Sequence, residues 1–131
     1  MRQSPRVIIA MANTRLAAAY SNRLSEYPYQ VILCRDGQDL LQHSLNHQPE
    51  LIIMDADLPT PGHDLIEIIQ LTPETAHSKI ILLTPLITAD LRTRSKQLGL
   101  TDVFINSPGV IPEVLTHVHR HLKPQVSTKA N

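Results

Sequence analysis

Residues 51–59 read LIIMDADLP, in which four apolar residues are followed at once by an acid, Asp55. An apolar run of this kind, without a polar interruption, predicts a β-strand that is buried on both faces. Similar short runs rich in Ile and Val lie on either side of it along the chain. The five predicted strands are Val7–Ala10, Val31–Leu33, Leu51–Met54, Ile80–Leu83 and Val103–Ile105.

Amphipathic helices are predicted between these strands, because apolar residues recur there every three or four positions. The repeating residues are Leu16, Tyr20 and Leu24; Leu41 and Leu45; Leu65 and Ile69; Leu91 and Leu98; and Val114, Leu115, Val118 and Leu122. Asn13 is suited to cap the first helix, and either Asp36 or Gly37 to open the second. The strict alternation of strands and helices predicts an α/β fold with a doubly wound parallel sheet.

The composition limits the classes of function. A length of 131 residues fits one compact domain. Twelve Lys and Arg balance twelve Asp and Glu. The chain therefore lacks the excess positive charge that attracts a protein to nucleic acids or anionic membranes, and we expect neither partner. A single Cys34 cannot form an internal disulfide, and no apolar run is long enough for a signal peptide, which predicts a cytoplasmic protein.

Three segments of the chain resemble the receiver domain of two-component response regulators. They are IIMDADLP at 52–59, ILLTP at 81–85 and TDVFINSP at 101–108. The resemblance covers roughly Arg6 to Leu122, with residues 1–5 and 123–131 as tails, and we expect no attached output domain. It implies a flavodoxin-like (βα)5 three-layer sandwich with the strand order 2-1-3-4-5.

The resemblance also implies roles for individual residues. Asp55 matches the phosphoacceptor aspartate, and Thr84 matches the hydroxyl residue that reports phosphorylation by moving toward the phosphoryl group. Phe104, or Val103 in a register one residue different, takes the place of the switch aromatic on strand five.

The chain differs from the family at the positions where a receiver has the acids that bind Mg²⁺ and a lysine. A receiver ends its first strand in a pair of acids that hold Mg²⁺, and its fifth strand in a lysine before a proline. Here the residues at the first position are Met11, Ala12 and Asn13, and those at the second are Asn106 and Ser107. We therefore expect Mg²⁺ binding to be weak or absent, and no other cofactor.

We predict a degenerate, receiver-like signalling domain that is not an enzyme. It would act by binding another protein or a second copy through helix four, strand five and helix five. Two alternatives remain open. In one, a histidine kinase still phosphorylates Asp55. In the other, the chain resembles a small haloacid-dehalogenase-type phosphatase, with Asp55 and Asp57 as the DxD nucleophile and acid and Thr84 as the hydroxyl of that family's second motif.

Two histidine pairs have the spacing that lets two side chains on one helix share a metal ion. His43 and His47 form one pair, and His117 and His121 form the other. Each pair lacks a third and fourth ligand in the sequence around it. We therefore predict solvated helix faces and no metal site.

Overall fold

Five parallel strands form one sheet in the order β2-β1-β3-β4-β5 in the computed structural model, which describes residues 4–59 and 62–122. The strands are β1 Arg6–Ala10, β2 Gln30–Cys34, β3 Leu51–Asp55, β4 Lys79–Thr84 and β5 Asp102–Ile105. The helices are α1 Thr14–Leu24, α2 Gly37–His47, α3 Gly62–Leu71, α4 Ala89–Gln97 and α5 Ile111–His121. The predicted α/β class, the flavodoxin-like architecture and the strand order are confirmed.

The segments predicted as tails, residues 1–5 and 123–131, lie outside the described residues except for positions 4 and 5. Within the described ranges, none of the helices combines the length and the apolar character that crossing a membrane would require.

The sheet separates two apolar layers, because successive side chains of a strand point to opposite faces. On β1, Val7 and Ile9 pack with α1 and α5, while Ile8 and Ala10 pack with α2 and α3. The same alternation holds along β3 and β4. Every residue of β3 is buried, so this strand is the centre of both layers.

The fourth helix is the least buried of those whose side chains are fully described. Leu91 of α4 and Leu98, directly after it, pack against the core but are only partly buried, and α4 contains no buried residue. Gly99 follows the helix with a φ of 71°, a left-handed conformation that favours glycine and ends a helix. The face formed by α4 and β5 therefore rests on fewer core contacts than its neighbours.

Asn13 caps α1 as predicted: its Oδ1 accepts a hydrogen bond from the backbone N–H of Leu16 at 3.0 Å. We expect Asn13→Ala to lower the free energy of unfolding by about 1 kcal/mol, because that N–H loses its partner. Asn13→Asp keeps the acceptor and places an acid at a first turn that contains none, so it should be neutral or slightly stabilising. Urea titration of both variants measures the difference, and an equal loss in both would contradict the capping role.

Candidate functional site

Asp55 is the last residue of β3 and is only 6% exposed. It stands at the carboxyl edge of the sheet, where ligands of open α/β sheets bind. The chain turns immediately afterwards, and the backbone N–H of Asp57 donates to Asp55 Oδ1 at 2.9 Å. The strand thus delivers a carboxylate to the edge while the apolar layers bury most of it.

Burial raises the pKa of Asp55, because desolvation disfavours the charged carboxylate. The backbone N–H of Asp57 opposes this rise, and the negative charge of Asp57 adds to it. The side-chain amide of Asn106 lowers the pKa by a smaller amount. The balance of these effects leaves the acid more easily protonated than an ordinary aspartate.

Thr84 ends β4 and Asn106 comes directly after β5, so both lie at the same edge of the sheet as Asp55. The backbone N–H of Ala56 donates to Leu83 O, and that of Asn106 donates to Thr84 O, both at 2.8 Å. These bonds bring the ends of β3, β4 and β5 together, and with them Asp55, Thr84 and Asn106. The sequence places Asn106 at this edge because it follows a buried strand, but only the structure shows that its amide contacts the Asp55 carboxylate.

The Thr84 hydroxyl is engaged with the loop that follows β4. It donates to Leu86 O at 3.2 Å, and the backbone N–H of Leu86 lies 3.5 Å from its oxygen. Thr84 itself is 6% exposed. A cavity of about 130 Å³ adjoins it, lined in part by Ala56, Leu82 and Leu91, so the space beside this threonine extends toward α4.

The end of β1 offers thioether, methyl and amide groups where the resemblance implies paired acids. Met11 is 1% exposed and belongs to the core layer of α1 and α5. Ala12 is exposed, and the side chain of Asn13 is occupied as the α1 cap. Mg²⁺ prefers oxygen ligands, so this set of groups does not match the carboxylate pair that the family uses.

The two candidates for the switch position lie on opposite faces of the sheet. Phe104 packs in the layer of α1 and α5, and its ring meets that of His117 edge-on with centroids 5.0 Å apart. Val103 packs in the other layer, together with Leu91 of α4 and with Leu98, which follows that helix. Leu91 also borders the cavity beside Thr84. Of the two candidates, Val103 is therefore the one that lies on the same face of the sheet as Thr84. The switch role of either residue stays a prediction.

The other predicted site residues lie at the rim. Asp57 is exposed, and its backbone is what contacts Asp55. Ser107 is exposed, precedes the short 3-10 helix Pro108–Val110, and its side chain caps nothing there. Asn106 Oδ1 is buried and has no hydrogen-bond partner among the described residues. Within that described part, the site therefore contains one buried carboxylate, one buried hydroxyl and one amide.

Solved receiver domains share this fold. The signal receiver domain of a protein described as a Luxo repressor from Vibrio parahaemolyticus is 30% identical, with 92% of this chain and 91% of that chain covered and a TM-score of 0.81. The non-phosphorylated HemR receiver domain from Leptospira biflexa is 23% identical, with 96% and 100% covered and a TM-score of 0.80. The chemotaxis response regulator CheY4 of Vibrio cholerae is 18% identical, with 88% and 99% covered and a TM-score of 0.77.

No protein-family model matches the chain, and no curated protein matches it either. The identity to the Vibrio parahaemolyticus receiver nevertheless extends over most of both chains. The chain therefore belongs to the receiver domains of two-component response regulators.

Replacing Asp55 by Asn tests the electrostatics of the site. Because the pKa of Asp55 is raised in the folded state, protonation of this carboxyl favours folding. The contribution to stability is complete below the unfolded pKa of about 3.9 and is lost as the pH rises through the pKa of the folded state. We expect Asp55→Asn to be neutral or stabilising by about 1 kcal/mol at pH 7, and the difference to vanish under acid conditions. Thermal unfolding across this pH range measures it, with Glu67→Gln, at an exposed acid of α3, as the control. A marked loss of stability at neutral pH would mean that the charged form of Asp55 has partners.

Proposed function

We propose that this receiver domain acts by binding a protein partner or a second copy of itself, and that phosphoryl transfer to Asp55 is impaired. The observation that supports the impairment most directly is the burial of Met11 at the end of β1. Ala10 of β1 pairs with Met54 of β3. The next residues, Met11 and Asp55, are therefore neighbours at the carboxyl edge of the sheet.

Phosphoryl transfer to a carboxylate concentrates negative charge, and its catalysis is mainly positioning together with neutralisation by Mg²⁺ and Lys or Arg. Asp55 has a desolvated environment, an acidic neighbour in Asp57 and a neutral amide in Asn106. Each missing charge-assisted contact is worth about 1.5–3 kcal/mol. The absence of two such contacts corresponds to a rate at least about 100-fold lower.

The proposed binding surface comprises α4, β5 and α5, and we refer to it as the output face. A groove of about 380 Å³ runs between α4 and β5, and Leu91 and Val103 are among its lining residues. Ile105 is 50% exposed on β5, and Arg120 is exposed on α5. Apolar groups with charged neighbours at the edge of the patch are typical of protein interfaces.

Phosphorylation is tested by incubating the purified chain with acetyl phosphate and Mg²⁺ and measuring the added mass. We expect Asp55 to remain essentially unmodified over the time in which a typical receiver is labelled, because its charge would develop without a counter-charge. An established receiver treated in parallel controls for the reagent.

Asp57→Asn is the matched variant for this assay, because it removes the exposed acid and keeps Asp55. Stoichiometric, Mg²⁺-dependent labelling that persists in this variant and is lost in Asp55→Asn would overturn the proposed impairment and favour a phosphorylatable receiver. Turnover of a generic phosphoester that requires both acids would instead favour the phosphatase alternative.

Binding through a face that does not depend on the Asp55 site predicts a specific pattern of mutational effects. Leu91→Ala and Arg120→Ala should weaken self-association or partner binding, since they change the output face itself. Asp55→Ala and Thr84→Ala should change affinity by no more than about twofold, which corresponds to about 0.4 kcal/mol. Sedimentation equilibrium and a pull-down assay on these variants measure the effects.

The opposite pattern would contradict the proposed mechanism. If the Asp55 and Thr84 variants lost binding while those of Leu91 and Arg120 kept it, the site would control the face. The domain would then be a switch whose bound state is selected by a change at Asp55.

A further inference from the structure

Three metal-ligating side chains converge where β5 meets α5, at the opposite end of β5 from Asn106. Asp102 begins β5, and His117 and His121 lie one turn apart on α5. His117 Nδ1 is 3.0 Å and His121 Nε2 is 3.1 Å from the same carboxylate oxygen, Asp102 Oδ2. One ligand atom from each of the three residues lies within 4.8 Å of the other two.

One carboxylate oxygen of Asp102 faces an imidazole nitrogen from each of the two histidines. His121 and Asp102 make a hydrogen bond. His117 Nδ1, although close to the same oxygen, is buried and makes no hydrogen bond within the described part of the chain. When Nδ1 carries a proton, its contact with Asp102 Oδ2 is an ion pair. When Nδ1 carries a lone pair, two acceptors face each other, and a cation between them would stabilise the contact.

Rigid elements hold the three side chains in place. The Phe104 ring meets the His117 ring edge-on, and Val114 and Val118 anchor α5 to the sheet with no exposure to solvent. The backbone of Asp102 pairs with Ile81 in the β4–β5 ladder. Ligands that project from packed helices and strands are better preorganised for metal binding than ligands on loops.

We propose that Asp102, His117 and His121 bind a borderline divalent transition-metal ion such as Zn²⁺, with water in the remaining coordination positions. Two imidazoles and one carboxylate suit Zn²⁺ and its neighbours in the series, whereas Mg²⁺ takes oxygen ligands. Tetrahedral Zn²⁺ with bonds of about 2.0–2.1 Å separates its ligand atoms by about 3.3 Å. The two distances to Asp102 Oδ2, 3.0 and 3.1 Å, are close to this value, and one nitrogen of each histidine lies within 4.8 Å of the other.

Access and exposure are compatible with such an ion. The side chains of Asp102 and of both histidines are 23–24% exposed, so solvent reaches the site and can complete the coordination shell. The ion would join α5 to β5 by a second link, in addition to the apolar contacts of Phe104. This site lies on the output face, but its metal binding does not depend on the state of Asp55.

A second group, formed by Cys34, Asp39 and His43, has a similar spacing of donor atoms but less suitable chemistry. Cys34 is buried, and desolvation raises the pKa of its thiol to about 12. Metal ions bind the thiolate, so this cysteine would have to lose a proton in an apolar layer. This group is therefore the natural comparison for the site that we propose.

The proposal is tested by isothermal titration of the 131-residue chain, without an affinity tag, with Zn²⁺. We expect one ion to bind per chain at sub-millimolar concentration, and Asp102→Asn, His117→Gln and His121→Gln each to weaken binding at least tenfold. Zn²⁺ should also raise the unfolding temperature of the wild type but not of these variants. Excess Mg²⁺ should leave the titration unchanged.

His77→Gln is the matched control, because His77 is exposed and belongs to neither group. It should bind Zn²⁺ like the wild type, and circular dichroism of every variant checks the fold. Absence of saturable binding would overturn the proposal. So would binding that survives Asp102→Asn and His121→Gln but is lost in His43→Gln, since the metal would then occupy the Cys34 group.

Discussion

Burial of β3 on both of its faces is the constraint on which the rest of the structure depends. Leu51 and Ile53 face the layer of α1 and α5, while Ile52 and Met54 face the layer of α2 and α3. A central strand covered in this way needs helices on both faces of the sheet, and the crossovers of a doubly wound parallel sheet supply them. The same burial continues to Asp55 and raises its pKa, so the packing that stabilises the sheet also sets the chemistry of its edge.

Met11 shows how apolar packing determines which side chain the end of β1 carries. A fully buried methionine side chain stabilises a fold by about 1.5–3 kcal/mol, and Met11 joins the core layer through such burial. A carboxylate at this position would need a metal ion or another counter-charge to offset its desolvation. With Met11 the first strand adds to the core, and Asp55 stands at the edge with Asp57, Thr84 and Asn106 as its polar neighbours.

The sequence was sufficient to predict the strands and caps, because these depend on local patterns. Apolar runs marked each strand to within about one residue at either end, and Asn13 caps α1 as its type suggests. The meeting of Asp102 with His117 and His121 could not be predicted, since it depends on how β5 and α5 pack, which periodicity does not encode. The register of β5 against β4 likewise determines on which face of the sheet Phe104 and Val103 lie. The sequence left open which of these two neighbouring residues takes the switch position.

The two helices of the proposed output face differ in how much of their surface is buried in the core. The apolar side of α5 is buried through Ile111, Val114, Leu115 and Val118, whereas α4 has no buried residue and borders the groove beside Val103. A partner that binds against α5 meets a surface that is already ordered, and so loses little conformational entropy on binding. A partner that binds against α4 must also restrain a weakly packed helix. Affinity at the output face should therefore arise mainly from α5 and β5, while α4 has the greater freedom to adapt its shape to the partner.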